Sequence, residues 1–285
     1  MNICGKMKIN VKKGGAQMNA HPTSFDNERF FFNHAVSENF PCNAYSMHMH
    51  GAYELIYFLD GDATHVIEDR KYKLKKHDLI LIRPFQYHFI QIDATSRYER
   101  YDFLFEDGAH GIDAVSLIPE GVEIINIEDN AEARNIFERC DLYRKNCSEE
   151  IFSRILPHLL SELFYNLHVF PASLPKEGSL LSPIISAALQ YINENLSSLG
   201  DVHEIAEHLF ISESYLFRLF KKELHQSPAQ YICEKRLLLA QKMLSEGEKP
   251  SLASEKCGFS DYTTFYRNYT AFFGYSPKQT KVNTH

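Results

Sequence analysis

Between Tyr45 and Phe105 the chain is built from short β-type runs cut by turn residues. The runs Glu54 to Leu59, Thr64 to Glu68, Asp78 to Ile82, Tyr87 to Ile92 and Tyr101 to Phe105 are punctuated by Gly61-Asp62 and Pro84. Such spacing predicts an antiparallel sandwich or barrel. The period then changes. From Asn130 to Asn146, and again from Glu149 to Leu167, apolar residues recur at helical intervals, with Ile151, Ile155, Leu159 and Leu163 on one stripe and Leu156, Leu160, Phe164 and Leu167 on another. Pro157 is expected to kink the second helix or break it near its start. The helix pair is available to join a second copy of the chain. Phe170 to Pro183, with Pro171, Pro175, Gly178 and three serines, reads as a linker, and everything after it as helical.

Two short helical hairpins follow one another in this last third. Val202, Ile205, Ala206 and Leu209 form an i, i+3, i+4, i+7 stripe, and Ser212 is a candidate N-cap for a second helix. On that second helix Leu216, Leu219, Phe220 and Leu224 share one side, while Ser214, Phe217, Arg218 and Lys221 share another. Such a helix, with Arg, Lys, Ser and an aromatic outward, suits a reader of the DNA major groove. A helical hairpin with a solvated charged face fits the same residues. The arrangement then repeats: Leu252 to Cys257 is a short helix, Gly258 suits a left-handed turn, Ser260 or Asp261 caps, and Tyr262 to Phe273 is a second candidate reader. Phe265, Tyr269 and Phe272 are expected to face inward there, and Thr263, Tyr266, Arg267 and Thr270 outward. Between the units Ala229 to Ser245 reads as one helix, a connector able to hold two readers about one turn of duplex (~34 Å) apart.

Specific residues sharpen this pattern. Ser212-x-x-Tyr215-Leu216-x-Arg218-x-Phe220-Lys221 is followed by Ser227-Pro228-x-x-Tyr231 and Arg236-x-x-x-Ala240. The second unit supplies Gly258-Phe259-Ser260-Asp261, Phe265-x-Arg267 and Gly274-Tyr275-Ser276-Pro277. In this order the motifs resemble the AraC/XylS family of bacterial transcription regulators, over roughly the last hundred residues. The resemblance implies double-stranded DNA as partner. Base contacts are implied at Ser214, Phe217 and Arg218, with Lys221 beside them, and at Tyr262, Thr263 and Arg267 in the second unit. It also implies a small-molecule effector, a homodimer, contact with RNA polymerase, and activation of transcription. Unit two departs from the pattern: Thr270 and Ala271 stand where basic residues are usual, so weaker phosphate anchoring is expected there.

Upstream, His48-Met49-His50-Gly51-Ala52-Tyr53-Glu54 is the most chemical stretch, with Gly61 and His88 further on. His48, His50 and Glu54 share strand parity. This resembles the cupin pattern HxHxxxE-x6-G with a later histidine, although His77, Arg83 and Phe85 replace the usual residues of its second half. Two readings stay open. His48, His50, Glu54 and His88 hold a divalent metal, or His48, His50, Glu54, Tyr57 and His88 hydrogen-bond a polar effector, a sugar among the candidates, with no metal required. Tyr45, Tyr53 and Tyr87 are further candidates to stack on a ligand, while His65 and His77 read as surface residues. The rival to a regulator is a metal-dependent cupin enzyme with a helical appendage.

Composition and charge add limits. With 44% hydrophobic and 24% charged residues over 285 positions, the chain is globular in composition. No apolar run approaches the ~18 residues of a membrane helix, and no apolar stretch follows the N-terminal lysines, so a cytoplasmic location is expected. Cys4, Cys42, Cys140, Cys147, Cys233 and Cys257 lack CxxC spacing and read as free thiols. From Leu180 onward acids and bases balance at 11 each, so the net charge of −7 lies upstream and the last third permits DNA binding without arguing for it. Lys12-Lys13-Gly14-Gly15-Ala16-Gln17-Met18 resembles a translated ribosome-binding site. Met18 as natural start and a short tail are equally open. The expected organisation is α+β with two domains: residues 1–24 a tail, 25–129 an antiparallel cupin-like β-barrel, 130–169 a helical dimerisation segment, 170–182 a linker, and 183–285 an all-α double helix-turn-helix.

Overall fold

The computed structural model describes residues 25–26, 30–37, 49–92, 97–106, 112–170 and 178–280. They divide into two compact units that meet in sequence near Ser179 and Leu180. Tyr45, His48, Met18, Pro171, Pro175, Cys4 and Cys42 lie outside the described residues.

The first unit has two antiparallel sheets. Strands β1 (Phe25–Asp26), β2 (Phe30–Ser37), β3 (Tyr53–Asp60), β6 (Asp78–Ile82), β8 (Tyr98–Phe105) and β9 (Ile124–Asn126) form the larger one in the order β1-β2-β8-β3-β6-β9. Beside it β4 (Ala63–Ile67), β5 (Arg70–Lys73) and β7 (His88–Ile92) run as β5-β4-β7. The expected runs are all strands. β1, β2, β5 and β9 were not among them: β1, β2 and the three-residue β9 lie outside the patterned region, and β5 is a four-residue strand with three charged residues, Arg70, Lys71 and Lys73.

Strands β3 and β8 are buried on both faces. One parity, with Ile56, Phe58, Tyr98, Ile80 and Ile82, meets Ala63, Ile67, Ile90 and Ile92 of the second sheet. The other parity, with Leu55, Tyr57, Tyr101, Phe103 and Phe105, packs under two helices, α1 (Ala131–Asn146) and α2 (Glu149–Val169). Asn130 and Ser148 cap these helices by accepting from Ala133 N and Ile151 N. Pro157 sits inside α2, which runs unbroken from Glu149 to Val169, so the expected break does not occur. Leu156, Leu159, Leu160, Leu163, Phe164 and Leu167 are all committed to the unit's own core, whereas Ile151 is 51% exposed. The two stripes drawn from sequence are thus mostly one broad inward face. What α1 and α2 leave outside is smaller: Leu142, Ile151, Tyr165 and Val169.

Phe137 anchors α1, its ring stacked 4.1 Å from Tyr57 and in contact with Tyr101 and Phe103. A polar clamp lies beside it. His34 of β2 donates to Asp141 of α1 (2.8 Å) and to Glu99 of β8 (3.1 Å), and stacks on Tyr101 at 4.0 Å. Tyr101 donates to the same Asp141 oxygen at 2.9 Å. Burial alone lowers the His34 pKa, but the hydrogen bonds and charges of Asp141 and Glu99 outweigh it and raise the value above 6.5. A raised histidine stabilises the folded state fully below its unfolded pKa and loses that contribution as pH rises through the folded value. Wild type is therefore expected to exceed His34→Gln in stability by about 1–3 kcal/mol near pH 6, with the margin shrinking above neutrality. Urea unfolding followed by circular dichroism at pH 6 and pH 9 checks it; a margin that grows with pH contradicts the clamp.

The second unit is helical: α3 (Pro183–Asn195), α4 (Val202–His208), α5 (Glu213–Leu224), α6 (Pro228–Ser245), α7 (Pro250–Lys256) and α8 (Tyr262–Phe273). Asp201, Ser212, Ser227 and Asp261 each accept from the backbone N–H three residues on, giving α4, α5, α6 and α8 side-chain N-caps. Of the two candidates in the second unit, Asp261 is the cap. The N-terminal half of α6 packs Tyr231 against Phe220 of α5. Its C-terminal half carries Leu237, Ala240 and Leu244 into a cluster with Ala253, Cys257, Phe265 and Tyr269 of α7 and α8.

Candidate functional site

Strand parity decides what lines the space between the two sheets. Register pairs Phe58 with Arg100 and Ile56 with Asp102, so Arg100 and Asp102 of β8 share the inner face with Glu54 of β3. His65 of β4 and His88 of β7 have the parity of Ala63, Ile67, Ile90 and Ile92. His50, Glu54, His65, His88, Arg100 and Asp102 are all buried. An apolar interior thus encloses a cluster of six polar residues.

Its centre is Glu54. His50 Nε2 lies 3.0 Å and His88 Nε2 2.9 Å from the same carboxylate oxygen. Each ring is aimed by its other nitrogen: His50 Nδ1 donates to Ala52 O and His88 Nδ1 to Gln86 O, both at 2.9 Å. Two imidazoles with Nδ1–H committed to carbonyls present Nε2 to one carboxylate, so a proton or a cation must sit between them. Burial works against ionising Glu54, but hydrogen bonds from His50 and His88 hold its carboxyl well below the usual range. Burial, with the Glu54 charge beside it, pushes Asp102 up to about 7, only partly offset by Arg100 at 3.4 Å. His65 is pushed down to about 3 by burial and by the His88 ring. At neutral pH the cluster therefore offers an ionised carboxylate, a carboxyl poised to donate, a guanidinium and a neutral imidazole. His65 Nδ1 and Asp102 Oδ1 are buried without a hydrogen-bond partner, which costs free energy unless something else meets them.

The expectations fare unevenly here. His50, Glu54 and His88 come together, with donor atoms within 4.8 Å of one another, a donor set suited chemically to a divalent metal. His48 lies outside the described residues. Tyr57 has the opposite parity to Glu54 and packs on Phe137 while bonding His77 at 2.6 Å, so it does not face this cluster. Tyr53 also faces away, stacked on Phe105. His65 is only 2% exposed and belongs to the cluster, contrary to its reading as a surface residue, and His77 is half-buried. Arg100 and Asp102 were missed. The signal was available in Tyr98-x-Arg100-x-Asp102, polar residues at alternate positions of a run whose other parity is aromatic.

In the second unit Ser214, Phe217, Arg218 and Lys221 are all exposed along α5, and Tyr262, Thr263 and Arg267 along α8. Arg218 lies over the Tyr215 ring at 5.5 Å and Lys221 over Phe217 at 5.8 Å, which pre-positions both cations. The units are built alike. Phe210 N and Ile211 N bond Glu207 O and Ala206 O, and Gly258 N and Phe259 N bond Glu255 O and Ser254 O in the same pattern. Phe210 and Gly258 thereby occupy equivalent left-handed positions, φ 55° and 81°. Glycine is free there, whereas Phe210 is both strained and 94% exposed. Phe265 and Tyr269 face inward as expected. Phe272 does not: it is 38% exposed, and Phe273 takes the half-buried place against Tyr269 and Tyr275.

Comparison with known proteins bears on both units. The family described as "AraC-like ligand binding domain" matches residues 35–109, and "Helix-turn-helix domain" matches residues 205–282. The "Probable transcriptional regulator LumQ" of Photobacterium leiognathi is 34% identical over 88 residues, 30% of this chain and 36% of that protein. The "Lactose operon transcription activator" of Staphylococcus xylosus is 27% identical over 155 residues, 53% of this chain and 56% of the relative. The "HTH-type transcriptional activator RhaR" of Cronobacter sakazakii is 25% identical over 263 residues, 85% and 89% of the two chains. The chain spans about a third of the length of LumQ and about half of the lactose activator. With an AraC-like ligand binding domain followed by an AraC-type helix-turn-helix domain, the chain belongs to the AraC family of transcriptional regulators.

Proposed function

We propose that this protein reads double-stranded DNA in a sequence-specific way through α5 and α8, under the control of a small polar effector held between the sheets of its first unit. The observation that carries the reading is the repeat itself. Two helices, capped alike, each turn an arginine and small polar or aromatic side chains outward on one domain. Arg218 and Arg267 are suited to bidentate contact with guanine, Phe217 to a thymine methyl, and Lys221 to phosphate. Two relatives bear the word activator in their names, which supports activation, through contact with RNA polymerase, as the outcome here. Action as a homodimer, through the exposed residues of α1 and α2, is part of the same proposal.

The effector belongs to the polar cluster around Glu54. His65 Nδ1 and Asp102 Oδ1 await partners there, and the mixture of donors and acceptors suits a hydroxylated molecule such as a sugar. The donor set His50, Glu54 and His88 keeps a metal-dependent enzyme as the second reading. Chelator dialysis separates the two: a regulator of the proposed kind keeps its DNA binding, and no turnover accompanies restored metal.

The DNA reading is tested by selecting sites from a randomised duplex pool with the full chain, then titrating the selected site at two salt concentrations. Arg218→Ala is expected to weaken binding ~10- to 100-fold, with relaxed preference at one base pair. Lys221→Ala is expected to act equally on all sequences and to lower the salt slope. Failure to enrich any sequence contradicts the proposal.

Asp102 gives a second prediction for the cluster. Its folded pKa of about 7 lies above that of a free aspartate, 3.8, so a stabilising proton is lost as pH rises through the folded value. Asp102→Asn is therefore expected to gain stability relative to wild type between pH 5 and pH 8, by about 1–3 kcal/mol. Thermal melts across that range read it, and a difference that does not change with pH assigns the proton elsewhere.

A further inference from the structure

We infer that Arg236 is a positioning residue that sets the placement of α8 relative to α5, and with it the spacing of DNA elements the protein accepts; this rests on the two-helix reading proposed above. The connector α6 is anchored to the two helix-turn-helix elements of the helical unit by different halves. Tyr231 packs on Phe220 of α5, while Leu237, Ala240 and Leu244 pack on Ala253, Cys257, Phe265 and Tyr269. Arg236 lies between those halves and its side chain meets both sides.

Towards the first helix-turn-helix element, Arg236 Nε donates to Leu196 O at 2.9 Å and Nη2 donates to Leu199 O. Leu196 is the C-cap of α3, so the guanidinium meets a carbonyl at the negative end of that helix. The same short loop is tied forward to α4, because Gly200 N donates to Glu204 at 3.0 Å. Towards the second helix-turn-helix element, the guanidinium packs against Gly258, the left-handed turn residue between α7 and α8. A Cβ added at Gly258 would come 2.5 Å from Ser197 O and 3.0 Å from Arg236 Cζ and Nη2. The turn of the second helix-turn-helix therefore lies directly on the loop that leads into the first, with Arg236 filling the seam.

A planar guanidinium holding two carbonyls resists rotation about its own stem in a way that an apolar contact or a single ammonium does not. Apolar packing along α6 fixes how close the units lie. Arg236 adds a directional restraint, and the directions of α5 and α8 are what two successive grooves require.

The test uses the full chain and three duplexes: the selected site, and versions with one base pair inserted or deleted between its two elements. Wild type is expected to lose ~10-fold or more on either change of spacing. Arg236→Met is expected to bind the selected site more weakly and to lose less than ~3-fold on the same changes, with Arg236→Lys closer to Met than to wild type. Gly258→Ala, which presses on the seam from the other side, is expected to share the broadened spacing. Equal weakening on all three duplexes overturns the inference and leaves Arg236 a general stabiliser. Amide exchange on the same variants reads the seam without DNA. Faster exchange confined to residues 196–200 and 255–260 supports the inference, whereas faster exchange throughout α3 to α8 opposes it. Sequence-independent binding by wild type overturns the DNA reading itself, an outcome separate from unchanged spacing selectivity in Arg236→Met.

Discussion

Burial of the central strands on both faces governs the first unit. Because the central parts of β3 and β8 lie between a second sheet and a helical layer, the positions from Glu54 to Phe58 and from Arg100 to Phe105 are buried on both faces, and each residue there belongs to one of two interiors according to its parity. Odd positions of β8, Tyr101, Phe103 and Phe105, go under α1 and α2; even positions, Arg100 and Asp102, go between the sheets. Two polar clusters result, one built on His34 and Asp141 and the other on Glu54. They are separated by a single strand and share no side chain. A one-residue slip in register would exchange them, placing Arg100 under Phe137 and Tyr101 against Glu54, so the buried charges specify the register as strictly as the apolar residues do.

That constraint also explains what could be read in advance. The strands from Glu54 onward, the two helices and both helix-turn-helix units were legible because their apolar periods differ and their caps are chemically marked. Ser212 and Asp261 are examples, each accepting from the N–H three residues on. Near Glu54 the sequence was informative only where a local motif existed. His50 and Glu54 were found by spacing, and His88 by its place after Pro84. His65, Arg100 and Asp102 join from separate strands through register, and register is a property of pairing that no single run contains. Tyr57 was misplaced for the same reason, since an aromatic near a ligand motif is informative only once its parity is compared with Glu54. Pro157 does not break α2 as one of its two expected effects required: the burial of α2 along its length outweighs the local disfavour of proline in a helix.

In the helical unit the repeat, more than any single residue, carries the reading. An exposed Arg218 on a short helix is ordinary on a protein surface. A second helix with a side-chain cap, a preceding turn that begins with the same backbone bonds and is one residue longer, and an arginine six residues after the cap is not, because both would have to arise on one connector without a shared task. The differences between the units are then informative. Phe210 stands in a left-handed turn where its counterpart is Gly258, and Thr270 and Ala271 follow Arg267 where Lys221 and Lys222 follow Arg218. Unit one therefore carries more of the local positive charge.

Overall charge sets how much the remaining contacts must do. A duplex is a dense line of negative charge, and most DNA-binding domains draw their non-specific affinity from an excess of Lys and Arg. From Leu180 onward this chain has none, since 11 basic residues meet 11 acidic ones. Several of those acids are already engaged away from α5 and α8, as with Glu204 on Gly200 N and Glu248 paired to Lys256. On the proposed DNA reading, the positive charge available to a duplex is then local, concentrated at the exposed Arg218, Lys221, Lys222 and Arg267. Under that proposal, few phosphate contacts would give a shallow dependence on salt and weak binding to random sequence, so more of the affinity would come from base contacts made simultaneously by both helices. Simultaneous contact is a geometric demand, and on the proposed reading it falls on the connector α6, because a domain with little charge to rely on would have to hold its two readers in register.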